Sequence, residues 1–145
     1  MNVITPAERL GTRQPLSAGS LPEVIEQTLI CTFNSLDDVE KTIAAHKGQI
    51  AAIILEPIPH NIGCVLPKQS FLEGLREITR LNGIVLIFDE VITGFRHGLG
   101  GYQKICGVTS DLTTLGKAVA NGYPISTVCG KRELMDLSFA NIRTA

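Results

Sequence analysis

The chain has no surplus of charge of either sign. Its 13 lysines and arginines nearly balance 14 aspartates and glutamates, for a net charge of −1. It therefore lacks the basic face that neutralises phosphates, and no nucleic-acid partner is expected. Apolar material is not what is missing: 44% of the residues are hydrophobic and 19% charged, which excludes the highly charged, weakly hydrophobic composition of disordered chains. No apolar run approaches the roughly 18 residues that span a bilayer. The opening residues Met1 to Pro6 lack the charged-then-apolar pattern of a signal peptide, so no membrane partner is expected. Cysteine is sparse and scattered. Cys31, Cys64, Cys106 and Cys129 form no Cys-x-x-Cys pair, excluding a zinc knuckle or a thioredoxin-type motif. Such usage suits a reducing cytoplasm, the expected location. Cys31 and Cys129 lie in apolar, strand-like runs and are expected as buried thiols. His46, His60 and His97 have no metal-ligand spacing, and no metal is expected. Internal repeats and low-complexity tracts are absent. So is a Gly-x-Gly-x-x-Gly turn after a first strand, which argues against a nucleotide-binding Rossmann domain.

What is present reads as one α/β domain. Residues 1 to about 27 hold Pro6, Gly11, Pro15, Gly19 and Pro22 and show no clear period, an irregular lead-in. Thr28 to Phe33 reads as a strand. Asn34 or Ser35 can cap a helix from about Leu36 to His46, with Asp37 and Asp38 well placed at its start and Gly48 just past its end. The near-continuous apolar run Ile50 to Leu55 suits a strand covered on both faces, and Glu56-Pro57 stops it. A second helix spans about Gln69 to Leu81, with Phe71, Leu72, Leu75 and Ile78 on one stripe, and Asn82-Gly83 ends it. Ile84 to Phe88 is the next buried strand. The glycine-rich region 91–110 shows no legible element. Beyond it, Leu112 to Leu115 and Ile125 to Cys129 read as short strands and Arg132 to Leu137 as a helix. Helices alternating with apolar strands imply crossover connections and a mostly parallel sheet.

Ligands of open α/β sheets sit beyond the carboxyl ends of the strands, and three acids stand there: Glu56 after one strand, Asp89 and Glu90 after another. A carboxylate directly after an apolar strand is costly to bury unless paired, and a cap or a solvated strand end is as good a reading for any one of them. Asp89 and Glu90 are neighbours on a strand and therefore point to opposite faces, which argues against a paired acid/base acting on one ligand. A lysine closes the next turn, Asp111-Leu112-Thr113-Thr114-Leu115-Gly116-Lys117. Gly116 permits a tight turn and close approach, Thr113 and Thr114 supply hydroxyls, and Asn121-Gly122 makes a second turn beyond. A lysine in a partly dry pocket there would be a usable amine nucleophile. An amine and an acid so placed suit the two anchors of pyridoxal 5'-phosphate (PLP), one for its aldehyde and one for its ring nitrogen.

Three strings carry a family resemblance: Ala51-Ala52-Ile53-Ile54-Leu55-Glu56-Pro57 with Asn61-Ile62-Gly63, Leu86-Ile87-Phe88-Asp89-Glu90-Val91-Ile92-Thr93-Gly94-Phe95-Arg96, and Ser110-Asp111-Leu112-Thr113-Thr114-Leu115-Gly116-Lys117. From about Thr28 to Leu137 the chain resembles the class III PLP-dependent aminotransferases, and within them the glutamate-1-semialdehyde 2,1-aminomutase group. The resemblance implies the large domain of fold type I, a three-layer, mostly parallel sheet with flanking helices, over residues 28–137. Lys117 matches the Schiff-base lysine and Asp89 the acid that pairs with the pyridine nitrogen, 28 positions earlier as in the family. Val91 matches the residue against one ring face, Asn61 the asparagine near the ring's 3-hydroxyl, and Glu56 a pocket acid. A small amino acid or amino-aldehyde substrate and a homodimer in the full-length family are implied. Ser110 departs from the family's usual proline. Gly98 to Gln103 and Ala120 to Ile125 look closer to other aminotransferases near the aminomutases, so mutase and transaminase both stay open.

The resemblance also implies that this is a central piece. The family's phosphate cup and ring-stacking aromatic fall ahead of residue 28, its small C-terminal domain falls beyond Ala145, and residues 138–145 form a truncated tail. The alternative to an amino-transferring enzyme is therefore an inactive remnant that keeps the core fold as a folding or interaction module. Because the family's partner-facing surface would be uncovered in such a piece, self-association is expected.

Overall fold

The computed structural model describes residue 19 and residues 21–140 of the 145-residue chain. Most of the lead-in and residues 141–145 of the tail lie outside the described residues. A one-turn helix, α1 (Pro22–Glu26), occupies the described end of the lead-in, with Pro22 at its first turn where a missing N–H costs nothing.

Helix α2 (Leu36–Ala45) forms where its caps dictate. Ser35 Oγ accepts the Asp38 N–H at 3.3 Å, Asp37 and Asp38 sit at the positive end of the dipole, and Val39 and Ile43, four apart, are the buried side. Strand β1 (Ala52–Leu55) leads through a short 3₁₀ turn at His60–Ile62 to α3 (Gln69–Asn82). The apolar stripe of α3 is buried as its spacing requires: Phe71, Leu72 and Leu75 face the sheet, Leu72 with 0% exposure. Each such side chain contributes about 1.5–3 kcal/mol. Thr79, on the same face, is satisfied by donating its hydroxyl to the Leu75 carbonyl at 2.7 Å. Gly83 ends α3 at φ +65°, and Ile84 N–H returns to the Thr79 carbonyl.

Strand β2 (Val85–Asp89), helix α4 (Gly101–Cys106), strand β3 (Leu112–Leu115), strand β4 (Thr127–Gly130) and helix α5 (Arg132–Ala140) complete the chain. The sheet order is β1-β2-β3-β4. The first three strands are parallel and β4 runs antiparallel to β3. That reversal follows from the connection: residues 116–126 hold turns and no crossover helix, and only an antiparallel return is reachable so cheaply. The core lies on one face of the sheet, where Leu55, Leu86 and Phe88 meet Val39 and Ile43 of α2, Phe71, Leu72 and Leu75 of α3, and Cys106 at the end of α4.

Two expectations are corrected. Thr28 to Phe33 joins no ladder, and Phe33 already lies in a turn. The segment's polar groups turn to α2 instead: Thr32 N–H donates to Asp38 Oδ2 at 2.6 Å and the Cys31 thiol to Thr42 Oγ1 at 3.4 Å. A groove of about 360 Å³ separates this segment from β1. Cys129 is exposed rather than buried, because β4 is an edge strand whose four residues are all exposed, while Cys31 is half-buried.

Candidate functional site

Neighbouring parallel strands place their C-terminal residues side by side. The register pairs Phe88 with Thr113 and Asp89 with Thr114. The Asp89 side chain therefore meets Thr114, whose hydroxyl donates to Asp89 Oδ1 at 3.1 Å. The Val91 N–H, two residues on, donates to the same oxygen at 3.1 Å. Three residues past Thr114 the chain reaches Lys117. Gly116 lies against Val91, where an added Cβ would stand 3.3 Å from Val91 Cγ1, so the close approach of the two turns needs the missing side chain. Lys117 itself has φ +44°, a left-handed conformation costing a non-glycine residue about 1–2 kcal/mol. Strain of this kind concentrates at functional sites. The described residues thus bring Asp89, Val91, Thr114, Gly116 and Lys117 together at one end of the sheet.

Lys117 is exposed. The partly dry surroundings expected of it are not those of an exposed side chain. Glu56 follows Leu55, the partner of Phe88, and so stands level with Asp89 one strand over. It is buried between Pro57 and the end of β1, with the His60 N–H 3.5 Å from its Oε2. His60 Nδ1 is 2.8 Å from the Ile58 carbonyl, a bond internal to its own loop. Asn61 is exposed on the 3₁₀ turn. Arg96 donates Nε to the Ile92 carbonyl at 2.7 Å and closes its own turn. His97 meets Tyr102 edge-on at 6.1 Å between ring centroids.

Adjacent carboxylates do separate work, as strand alternation requires. Glu90 is 1% exposed and points into the core side. Its Oε2 accepts the Thr93 hydroxyl at 3.0 Å and the Tyr102 N–H at 2.6 Å, and its Oε1 accepts Gln103 Nε2 at 3.0 Å. Gln103 Nε2 also donates to Thr113 Oγ1 at 2.9 Å, and Gln103 Oε1 accepts both the N–H and the hydroxyl of Ser110. This closed network ties the exit of β2, the start of α4 and the entry of β3 together directly behind Asp89. Nothing in residue spacing pointed to Gln103. The one available signal was a glutamate on the core-facing parity of a buried strand, which demands a polar partner.

Asp111 makes a second knot at the other end of β3. Its Oδ2 accepts the Leu86 N–H at 2.8 Å and Arg76 Nη2 at 3.0 Å, and Lys131 Nζ lies 2.8 Å from Oδ1. Burial alone would raise this carboxyl. The bonds from Arg76, Lys131 and the Leu86 N–H outweigh it and hold the group down to about 2.

The model of the class-III aminotransferase family matches residues 14–141. The chain belongs to the class-III aminotransferase family. It is 52% identical over 122 residues to a glutamate-1-semialdehyde 2,1-aminomutase of Methanococcus vannielii, a stretch covering 84% of this chain and 29% of that protein. Among solved structures, an omega-transaminase from Sphaerobacter thermophilus superposes with a TM-score of 0.79 at 41% identity, over 83% of this chain and 27% of the other. A glutamate-1-semialdehyde-aminomutase from Pseudomonas aeruginosa PAO1 does so with a TM-score of 0.72 at 31% identity, over 88% and 28%. The mostly parallel sheet with flanking helices is that of the PLP-dependent class-III transaminases, fold type I. The chain spans about 29% of the length of the curated relatives it matches.

Proposed function

We propose that this class-III chain carries the cofactor-holding core of an enzyme that transfers an amino group with PLP, either within one small amino-aldehyde or between an amino acid and a carbonyl acceptor. In this reading Lys117 would hold the cofactor's aldehyde through Nζ and Asp89 would pair with its ring nitrogen. Val91 would lie against one ring face, Asn61 would stand by the 3-hydroxyl, and Glu56 would be a pocket acid. When bound, PLP supplies an electron sink for charge developing beside the substrate nitrogen. The residues would do the rest: Asp89 would hold a proton on the ring nitrogen, and the Lys117 amine would take up and return the substrate's proton.

The observation that carries the reading is the juxtaposition of Asp89 and Lys117. Asp89 pairs in register with Thr114 on the adjacent parallel strand, and Lys117 follows Thr114 by three residues, at the end of the sheet where α/β folds bind ligands. The residues present fit the group. Two donors occupy Asp89 Oδ1, while among the described residues none is directed at Oδ2, and the bare face of Gly116, the residue before Lys117, lies against Val91. The names borne by the matched relatives, aminomutase and omega-transaminase, support amino-group transfer and leave the choice between them to substrate assay.

The test is to incubate the whole chain with PLP, reduce with sodium borohydride and map the modified peptide. A yellow adduct that bleaches on reduction, leaving a pyridoxyl group fixed on Lys117 and absent from Lys117→Ala, is expected. Absence of a Lys117 adduct would overturn the reading for this chain. It would favour the second reading, a core that keeps the fold without the chemistry, which the 29% span of the relatives makes concrete.

A further inference from the structure

We propose that Thr114 is the positioning residue of this site: its hydroxyl locks the Asp89 carboxylate so that Oδ2 alone is offered outward. What Oδ2 meets, a protonated ring nitrogen, rests on the PLP reading above; the lock itself does not.

The Val91 N–H to Asp89 Oδ1 bond is local, spanning two residues. A local bond of this kind closes an Asx-type turn. Alone, that single contact leaves the side chain free to hop between staggered χ1 wells whenever it breaks, and to swing at its terminal torsion, which is broad and roughly two-fold. The second bond comes from a different strand. Thr114 Oγ1 is 3.1 Å from the same oxygen, and the two strands cannot drift apart there, since the Glu90 N–H donates to the Thr114 carbonyl at 3.0 Å. On the opposite face, Glu90, Gln103 and Thr113 form a closed network that holds the same register. Threonine is also the right donor for a lock. Its β-branch leaves few χ1 states in a strand, so the backbone itself aims the hydroxyl. Two donors from two elements converging on one oxygen fix the plane of the carboxylate. Among the described residues, no hydrogen bond or ion pair is directed at Oδ2.

The experiment compares the isotope-labelled whole chain with Thr114→Val, which keeps the shape and deletes the donor, and Thr114→Ser, which keeps the donor. Three-bond couplings that report χ1 of Asp89 are expected to show one staggered rotamer in the parent and the serine variant, and averaging in the valine variant. On titration with PLP followed by borohydride, half-maximal labelling of Lys117 in the valine variant is expected to need about tenfold more PLP, the equivalent of one lost hydrogen bond to a charged group. Unchanged Asp89 couplings in Thr114→Val overturn the proposal whatever PLP does. Averaged couplings with undiminished PLP labelling overturn its role toward the cofactor. No labelling of the parent overturns the PLP reading instead, and the couplings still decide the lock.

Discussion

Replacing Asp111 by asparagine tests the packing logic of the whole domain. The residue, 4% exposed and just ahead of β3, joins Arg76 from α3, the Leu86 N–H near the start of β2, and Lys131 just after β4. Its backbone adds to the join, for Asp111 N–H donates to the Leu86 carbonyl and Lys131 N–H to the Asp111 carbonyl. The carboxyl titrates at about 2 rather than 3.8, and at about 1.4 kcal/mol per pH unit that difference corresponds to roughly 2 kcal/mol of folding stability. The folded value lies below the unfolded one. The contribution is therefore complete above pH 4 and disappears as pH falls through about 2. Asp111→Asn should cost about 2 kcal/mol at pH 7 and, relative to the parent, flatten the loss of stability between pH 4 and pH 2. Asp111→Ala should cost about 1–3 kcal/mol more, because the buried Leu86 N–H then has no acceptor. Lys131→Met should cost under about 1 kcal/mol, since that lysine is half exposed. Urea unfolding followed by far-ultraviolet circular dichroism at stepped pH measures all three. An Asp111→Asn midpoint equal to the parent's at pH 7, or an undiminished acid slope in that variant, would refute the reasoning.

Glu90→Gln should lower stability by about 2–3 kcal/mol, read as a drop in thermal midpoint, because an amide nitrogen would face the Tyr102 and Gln103 donors that now converge on a carboxylate. An unchanged midpoint would show that the network is not closed in solution. The exposed apolar side chains Tyr123, Ile125 and Val128, on the segment following Lys117, should drive concentration-dependent association. Sedimentation velocity across a hundredfold concentration range checks this, and a clean monomer throughout would contradict it.

Much of the architecture was legible because local and global signals agreed. Helix α2 begins at a serine followed by two acids, and α3 carries an unbroken apolar stripe and stops at Asn-Gly, so both lie within a residue of where the periodicity put them. The alternation that sends Asp89 and Glu90 to opposite sides was readable from the strand alone. Three features were not. The segment from Thr28 to Phe33 has strand-like composition, but pairing is a tertiary property, and the Thr32 N–H found a carboxylate on α2. Helix α4 has only six residues between glycines, too few to show a period. The exposure of Cys129 and Lys117 depends on which strand is the edge and how far a turn projects, neither of which one sequence encodes locally. At the candidate site, the acid and the amine could be named from motif and strand-end position. The hydroxyl that orients the acid could be named only as nearby, because its aim is set by the register between two strands.

The parity of β2 carries a consequence for how such a domain can evolve. Since consecutive side chains alternate, one residue inserted or deleted between Val85 and Phe88 would change the destinations of the two acids. An insertion would carry Asp89 into a cage of donors built for a longer side chain and leave Phe88 beside the threonine, and a deletion would put Glu90 beside the threonine and Asp89 in the core place of Phe88. Scaffold and chemistry would fail in a single step. Indels should therefore be tolerated in the loops flanking this strand and purged within it, however conservative the residue added.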